Sequence, residues 1–336
     1  MRPSLSKLHP AAAGFCVILL ALSGCTASSV SQNSQLTSPG PLENAIAPLV
    51  TPTYDGSGNT VEPTVLYFPN SWRGNLYWMA VSPYPNSNAE FENPSILVSQ
   101  DGQNWGVPAG LTNPIQLPTL GIFADATVFC DHASDHLWVY FLNDVPGSDY
   151  LESLLRTTSQ DGVHWSKPEV LLSGMNTFVN SPSVGKIDGT YYLWAIDTGI
   201  GCAAQTPSTV NQRTSTDGVN WSAPSAMNID QPGYILWHLN SIWVPSKGQL
   251  MALVAAYRVG SVCNHTKLFF ANSRDGINWQ TYPDPILDVS SSWDSGEIYR
   301  SSLVYDSSNS LLRVWYSAVG ASGWHVGHTE KAFPIP

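Results

Sequence analysis

The chain has 336 residues, of which 43% are hydrophobic and 12% charged, and its 25 acids against 14 bases leave a formal charge of −11. So acidic a balance excludes the dense basic surface that binding to nucleic acid or anionic lipid requires, and no nucleic-acid partner is expected.

Met1 to Pro10 carries Arg2 and Lys7 and no acid, and Ala11 to Leu22 follows without a charge. That run has the length of a signal-peptide core and is too short for a stable bilayer-spanning anchor. It ends in Leu22-Ser23-Gly24-Cys25, which resembles the lipobox of bacterial lipoproteins. The resemblance implies cleavage before Cys25, lipidation of its thiol and attachment to a membrane through that lipid. Thr26 follows, where an Asp often signals inner-membrane retention, so a cell-envelope location at the outer membrane or the extracellular face is expected. Losing Arg2 and Lys7 with the leader takes the charge from −11 to −13. Residues 25–44 are rich in Ser, Gln, Thr, Pro and Gly, a composition that buries too little to order itself and reads as a tether. The expected organisation is a signal peptide over 1–24, a tether over 25–44 and one folded domain over 45–336, with a monomer as the simplest state.

Within that domain Ser-x-Asp-Gly-x-x-Trp recurs at Ser99–Trp105, Ser159–Trp165, Ser215–Trp221 and Ser273–Trp279, spaced by 60, 56 and 58 residues. Asp-Gly supplies the positive φ of a tight turn, and the Asp side chain can accept from amides within it. A strand-like run precedes each box, such as Ser95–Val98 or Lys267–Phe270, and two more lie upstream. The nearer of those two occurs five times, at Leu76–Met79, Leu137–Tyr140, Tyr191–Trp194, Leu250–Leu253 and Leu312–Trp315. The farther occurs at Thr64–Phe68, Ala126–Phe129, Ser183–Ile187, Leu239–Trp243 and Ser302–Tyr305. Four antiparallel strands repeated at this period predict an all-β fold, a five-bladed β-propeller. The fifth unit lacks a box and a fourth strand, so Ala47–Val50 is expected to close the ring on the blade that carries Leu312–Trp315. Cys202 and Cys263 occupy matching places in successive repeats and are expected to form a disulfide, which leaves Cys130 as a buried free thiol.

The first residues of five inner strands crowd one mouth of a propeller channel. Here they are Glu62, Asp125, Ser181, His238 and Glu297, spaced by 63, 56, 57 and 59 residues. At this point the chain resembles the five-bladed propeller glycosidases, glycoside hydrolase families forty-three and thirty-two among them. The resemblance implies a general base at Glu62 in Val61-Glu62-Pro63 and a pKa-tuning, substrate-orienting carboxylate at Asp125. It also implies a central His at His238, beside which a structural cation is the one cofactor expected. The blade-three strand Asn180-Ser181-Pro182-Ser183 looks very like that of the family, but Asn180 stands where a glutamic acid would be the general acid. Glu92 or Glu297 could supply the proton instead. Asn180, Ser181, His238, Arg300 and Trp237 are the candidate substrate contacts, and Arg300 has the alternative of pairing with Glu297. Tyr84, Trp72, Trp293 and Trp324 are further aromatics at loops or strand ends that could face a sugar ring. The reading is a glycoside hydrolase-like protein acting on an extracellular or envelope glycan. A glycan-binding protein without catalysis is the alternative.

Overall fold

The repeated runs form antiparallel strands in a computed structural model that describes residues 36–335, apart from 148–150, 176–177, 200, 203–204 and 206. The segments read as signal peptide, lipidated Cys25 and first part of the tether lie outside the described residues. Blade one holds β1 (Thr60–Trp72), β2 (Asn75–Pro83) and β3 (Ser95–Ser99), and blade two holds β4 (Ile122–Asp131), β5 (His136–Val145), β6 (Leu151–Ser159) and β7 (Glu169–Met175). Blade three runs through β8 (Phe178–Ile187), β9 (Thr190–Gly199), β10 (Thr209–Ser215) and β11 (Ser225–Ala226). Blade four has β12 (Tyr234–Val244), β13 (Gln249–Arg258), β14 (Lys267–Ser273) and β15 (Trp279–Thr281), and blade five has β16 (Glu297–Asp306), β17 (Leu311–Gly320) and β18 (Gly323–Ala332). The first strands touch in the cycle β1, β4, β8, β12, β16 and back to β1, which closes a five-bladed propeller.

Closure by the amino-terminal segment is looser than a fourth strand. Leu49 donates its N–H to the Val326 carbonyl on β18 at 2.8 Å, on the outer edge of blade five. In the stretch read as tether, Leu42 is buried among residues of blades four and five and donates to the Ile286 carbonyl at 2.7 Å.

The core lies between blades, because each sheet has two apolar faces and neighbouring blades cover them. Phe123, Phe141 and Val139 of blade two pack on Trp78 and Ile96 of blade one. Leu253 and Phe270 of blade four pack on Val314 and Tyr316 of blade five. The boxes connect these interfaces. In the first, Asp101 Oδ1 accepts from the Gln103 and Asn104 amides, and Gly102 (φ +75°) lies flat against Trp315 of blade five. A Cβ there would sit 2.8 Å from the Trp315 ring, and Trp315 Nε1 donates to the Gly102 carbonyl at 2.7 Å. Gly162 and Gly218 receive Trp78 and Trp138 of the preceding blades in the same way. Cys202 and Cys263 form the expected disulfide between blades three and four, and Cys130 is buried and unpaired in a bond.

Candidate active site

Each inner strand carries one extra residue near its start. The pairing slips by one between Val61 and Thr64, Ala124 and Thr127, Asn180 and Ser183, Leu236 and His238, and Ile298 and Ser301. Such a bulge turns a side chain out of the pleat, here towards the axis. Glu62, Asp125 and Ser181 take positive φ of 59°, 57° and 57° to do so. That left-handed conformation costs roughly 1–2 kcal/mol for a residue with a Cβ.

The cost is offset by hydrogen bonds from blade to blade. Glu62 Oε2 accepts from the Asp125 N–H at 3.0 Å, and Asp125 Oδ2 accepts from the Ser181 N–H at 2.8 Å. Ser181 Oγ lies 2.6 Å from His238 Nδ1. Ser317 Oγ accepts from the Glu62 N–H and donates to the Arg300 carbonyl, and the His238 ring packs on Tyr299 of blade five, which completes the circuit. Beneath it Arg300, fully buried, donates to Asp125 Oδ1 at 2.9 Å, to Thr127 Oγ1 at 2.5 Å and to the Pro182 carbonyl at 3.2 Å.

Above the circuit is a pocket of about 100 Å³ lined by Glu62, Glu92, Asp125, Asp144, Asn180, His238, Tyr84 and Tyr299, among others. Of the sequence candidates, Glu62, Asp125, Asn180, His238 and Glu92 therefore converge. Ser181 lies outside the lining, its hydroxyl against His238 Nδ1. Arg300 has no exposed surface and lies outside the lining; it pairs with Asp125 rather than Glu297. Trp237 is buried and donates to the Tyr299 hydroxyl at 3.3 Å, behind the pocket wall. Glu297 lies outside the lining, its carboxylate accepting from the Thr266 N–H and hydroxyl at 3.2 and 2.9 Å. Sequence reasoning missed Asp144, which ends a second strand, and did not single out Tyr299; Tyr299 fills the blade-five bulge two residues beyond Glu297.

Burial, the Asp125 charge and Glu92 raise the Glu62 carboxyl well above the usual range. Burial, Asp125 and Asp144 do the same to Glu92. Burial also acts on Asp125, but Arg300 and His238 outweigh it and hold that carboxyl below its ordinary value. Burial pushes His238 down to about 3, against the pull of Asp125. These shifts favour the neutral form of Glu62, the ionised form of Asp125 and a neutral imidazole, whose buried Nε2 has no partner among the described residues. Ligand atoms of Glu62, Asp125 and His238 all lie within 4.8 Å of one another, a carboxylate–carboxylate–imidazole set that fits a divalent cation. Arg300 already balances Asp125, so Glu62 and His238 have the unspent capacity.

No family model matches the chain. A curated relative, the A type blood N-acetyl-α-D-galactosamine deacetylase of Flavonifractor plautii, is 30% identical over 81% of this chain and 44% of its own length. The chain thus spans less than half of that relative. A solved N-acetylgalactosamine deacetylase from F. plautii, in complex with blood group B trisaccharide, superposes with a TM-score of 0.80 at 25% identity, covering 88% of this chain and 96% of that one. A thermostable family-43 glycoside hydrolase gives 0.60 at 13% identity, covering 82% and 90%. An α-L-arabinofuranosidase from Podospora anserina with cellotriose gives 0.58 at 14% identity, covering 88% and 99%. The chain has the five-bladed propeller fold of these carbohydrate-processing proteins, as the sequence resemblance implied.

Proposed function

We propose that the axial pocket hydrolyses an acyl group, in the first instance an N-acetyl amide, from a sugar of an extracellular or envelope glycan. The observation that carries this reading is the packing of Glu62, Asp125 and His238 within 4.8 Å of one another. Such a compact centre suits attack on one acyl carbon. Glycoside hydrolysis instead sets two carboxyls across the sugar, about 6.5–9.5 Å apart for inversion or about 5–5.5 Å for retention. Asn180 in place of the glycosidase acid points the same way, as does the likeness to a protein named a deacetylase.

In this reading neutral His238 presents Nε2 to the attacking water. Ser181 at Nδ1 sets the ring's orientation and tautomer. The protonated Glu62 carboxyl donates to the oxygen on which charge develops, as a buried neutral acid can. Asp125 keeps its charge because Arg300 is fixed beneath it. In place of the Glu62 and His238 roles, a divalent cation held by Glu62, Asp125 and His238 would take an ionised Glu62 and the imidazole as ligands, lower the pKa of a bound water and polarise the acyl carbonyl.

The test is hydrolysis of a panel of N-acetylated oligosaccharides, with acetate, free amine and reducing ends each measured, in chelator and with added divalent cations. Acetate and amine in equal amounts are expected, falling at least ~100-fold in His238→Asn. Reducing ends without acetate would make the chain a glycosidase. Binding with no product would make it a glycan-binding protein.

A further inference from the structure

We propose that a second cavity, between blades two and three, receives the alkyl part of the acyl group, so that the site takes amides of short fatty acids as well as of acetate. This rests on the reaction proposed above and names the acyl class on which it acts.

The cavity follows from one row of side chains. In blade two Ala124 pairs with Leu142, Leu142 with Leu154 and Leu154 with Leu172, so the row leaves the axis at the inner strand and ends at the outermost one. Ala124 lines the axial pocket, Leu154 and Leu172 line the cavity, and Leu142 lines both. Blade three faces this row with Val179, Leu193 and Ala195. Val179 is followed in the chain by Asn180, which lines the axial pocket. The two spaces are therefore neighbours, with the Leu142 side chain as the wall they share.

The cavity measures about 160 Å³. An apolar space of about 150 Å³ stays dry and takes a molecule the size of benzene, so there is room here for about six carbons. The leucines offer a ligand no donor or acceptor, but an alkyl chain would supply the contacts that their empty side lacks. Polar side chains enter the lining only from Asp197 on β9 and from Asn211 and Arg213 on β10, the third strand out. There the apolar path ends, and a longer chain gains nothing by reaching it. An acyl carbon held at Glu62, Asp125 and His238 would send its chain past Leu142 into this space. Hydrolysis is the same step whatever the chain: the water oxygen bonds to the acyl carbon, the C–N bond breaks, the nitrogen takes a proton and leaves as the amine, and the alkyl chain leaves with the carboxylic acid.

The experiment uses the full chain and galactosamine N-acylated with acetyl, butyryl, hexanoyl or octanoyl. Turnover is measured on each, and Kd is measured by calorimetry on His238→Asn. Burying a methylene strengthens binding about fourfold, so Kd is expected to fall at least tenfold from acetyl to hexanoyl and to level off at octanoyl. Ala195→Leu, which fills the cavity, removes the hexanoyl advantage and leaves the acetyl compound unchanged. Leu172→Phe, at the half-buried outer end of the row, reduces that advantage without entering the core. The hexyl glycoside of N-acetylgalactosamine gains nothing over the parent sugar. A Kd independent of acyl length, or a hexanoyl advantage that survives in folded Ala195→Leu and Leu172→Phe proteins, overturns the proposal. So does an equal gain with the hexyl glycoside, which would give the cavity to the aglycone. Acetate release with a flat Kd series would leave the proposed reaction standing and remove the acyl site. A chain-length series in Kd with no amine released from any compound would fault the reaction and leave the cavity in its role.

Discussion

Replacing Arg300 by Met should be among the most damaging single changes in this domain. The guanidinium has no exposed surface, and three of its bonds fasten blade five to blades two and three. Met fills similar space but leaves Asp125 ionised without its partner. Breaking a buried pair from one side costs about 3–5 kcal/mol. The variant should lose about that much in denaturant unfolding at pH 7, read as a lower midpoint with an unchanged slope. Pairing it with Asp125→Asn removes the orphaned charge and should restore at least half of the loss, because Asn can still accept from the Ser181 N–H. The pH dependence gives a second check. Arg300 and His238 hold the folded Asp125 below its ordinary value despite its burial, so the stability they supply is present above the unfolded pKa and lost as pH falls through the folded one. The gap between wild type and Arg300→Met should therefore be full above pH ~4 and shrink below it. A loss under ~1 kcal/mol, or a double variant no more stable than the single one, would refute the reasoning.

Glu297→Gln tests a different buried acid: burial lifts Glu297 to about 7 despite the hydrogen bonds from Thr266. A rise from about 4.5 to about 7 corresponds to roughly 3 kcal/mol, fully present below pH ~4.5 and lost as pH rises through ~7. The wild-type advantage in unfolding free energy should fall across that window relative to Glu297→Gln, and parallel curves would count against it. Gly102→Ala should cost about 2–4 kcal/mol from left-handed strain plus the clash with Trp315, whereas Gly56→Ala, at a similar φ with nothing near its Cβ, should cost about 1–2 kcal/mol. Matching losses in thermal or denaturant unfolding would remove Trp315 from ring closure.

The blades were legible because each box spells a turn chemically: Asp accepts the amides, Gly takes the positive φ, and Trp marks the return to an apolar layer. The convergence of Glu62, Asp125, Ser181 and His238 followed from one register counted across four repeats. Counting gave less in blade five, where the bulge falls on Tyr299 and Arg300 and the carboxyl of Glu297 turns to Thr266. A bulge shifts facing by one residue, and nothing in Glu297-Ile298-Tyr299-Arg300 marks where it begins. Asp144 was invisible for another reason: it lies at the end of a second strand, and its pairing with Ile122 sets it beside the start of β4. Ring closure follows from the missing fourth strand at its place on blade five but not in its form, a backbone bond from Leu49 to Val326 in place of a paired strand.

The hydrogen bonds from Glu62 to Asp125 to Ser181 to His238 run round the axis in one sense, each blade holding the backbone or ring of the next. No blade owns its own reactive residue. The centre therefore exists only in the closed circle, and a chain partway through folding, with one blade undocked, presents separate carboxyls and no assembled pocket. The same dependence limits how this centre can be altered over generations. The Asp125 and Ser181 amides are offered by any residue but proline, so only Ser181 and His238, bonded side chain to side chain, are held to change as a pair.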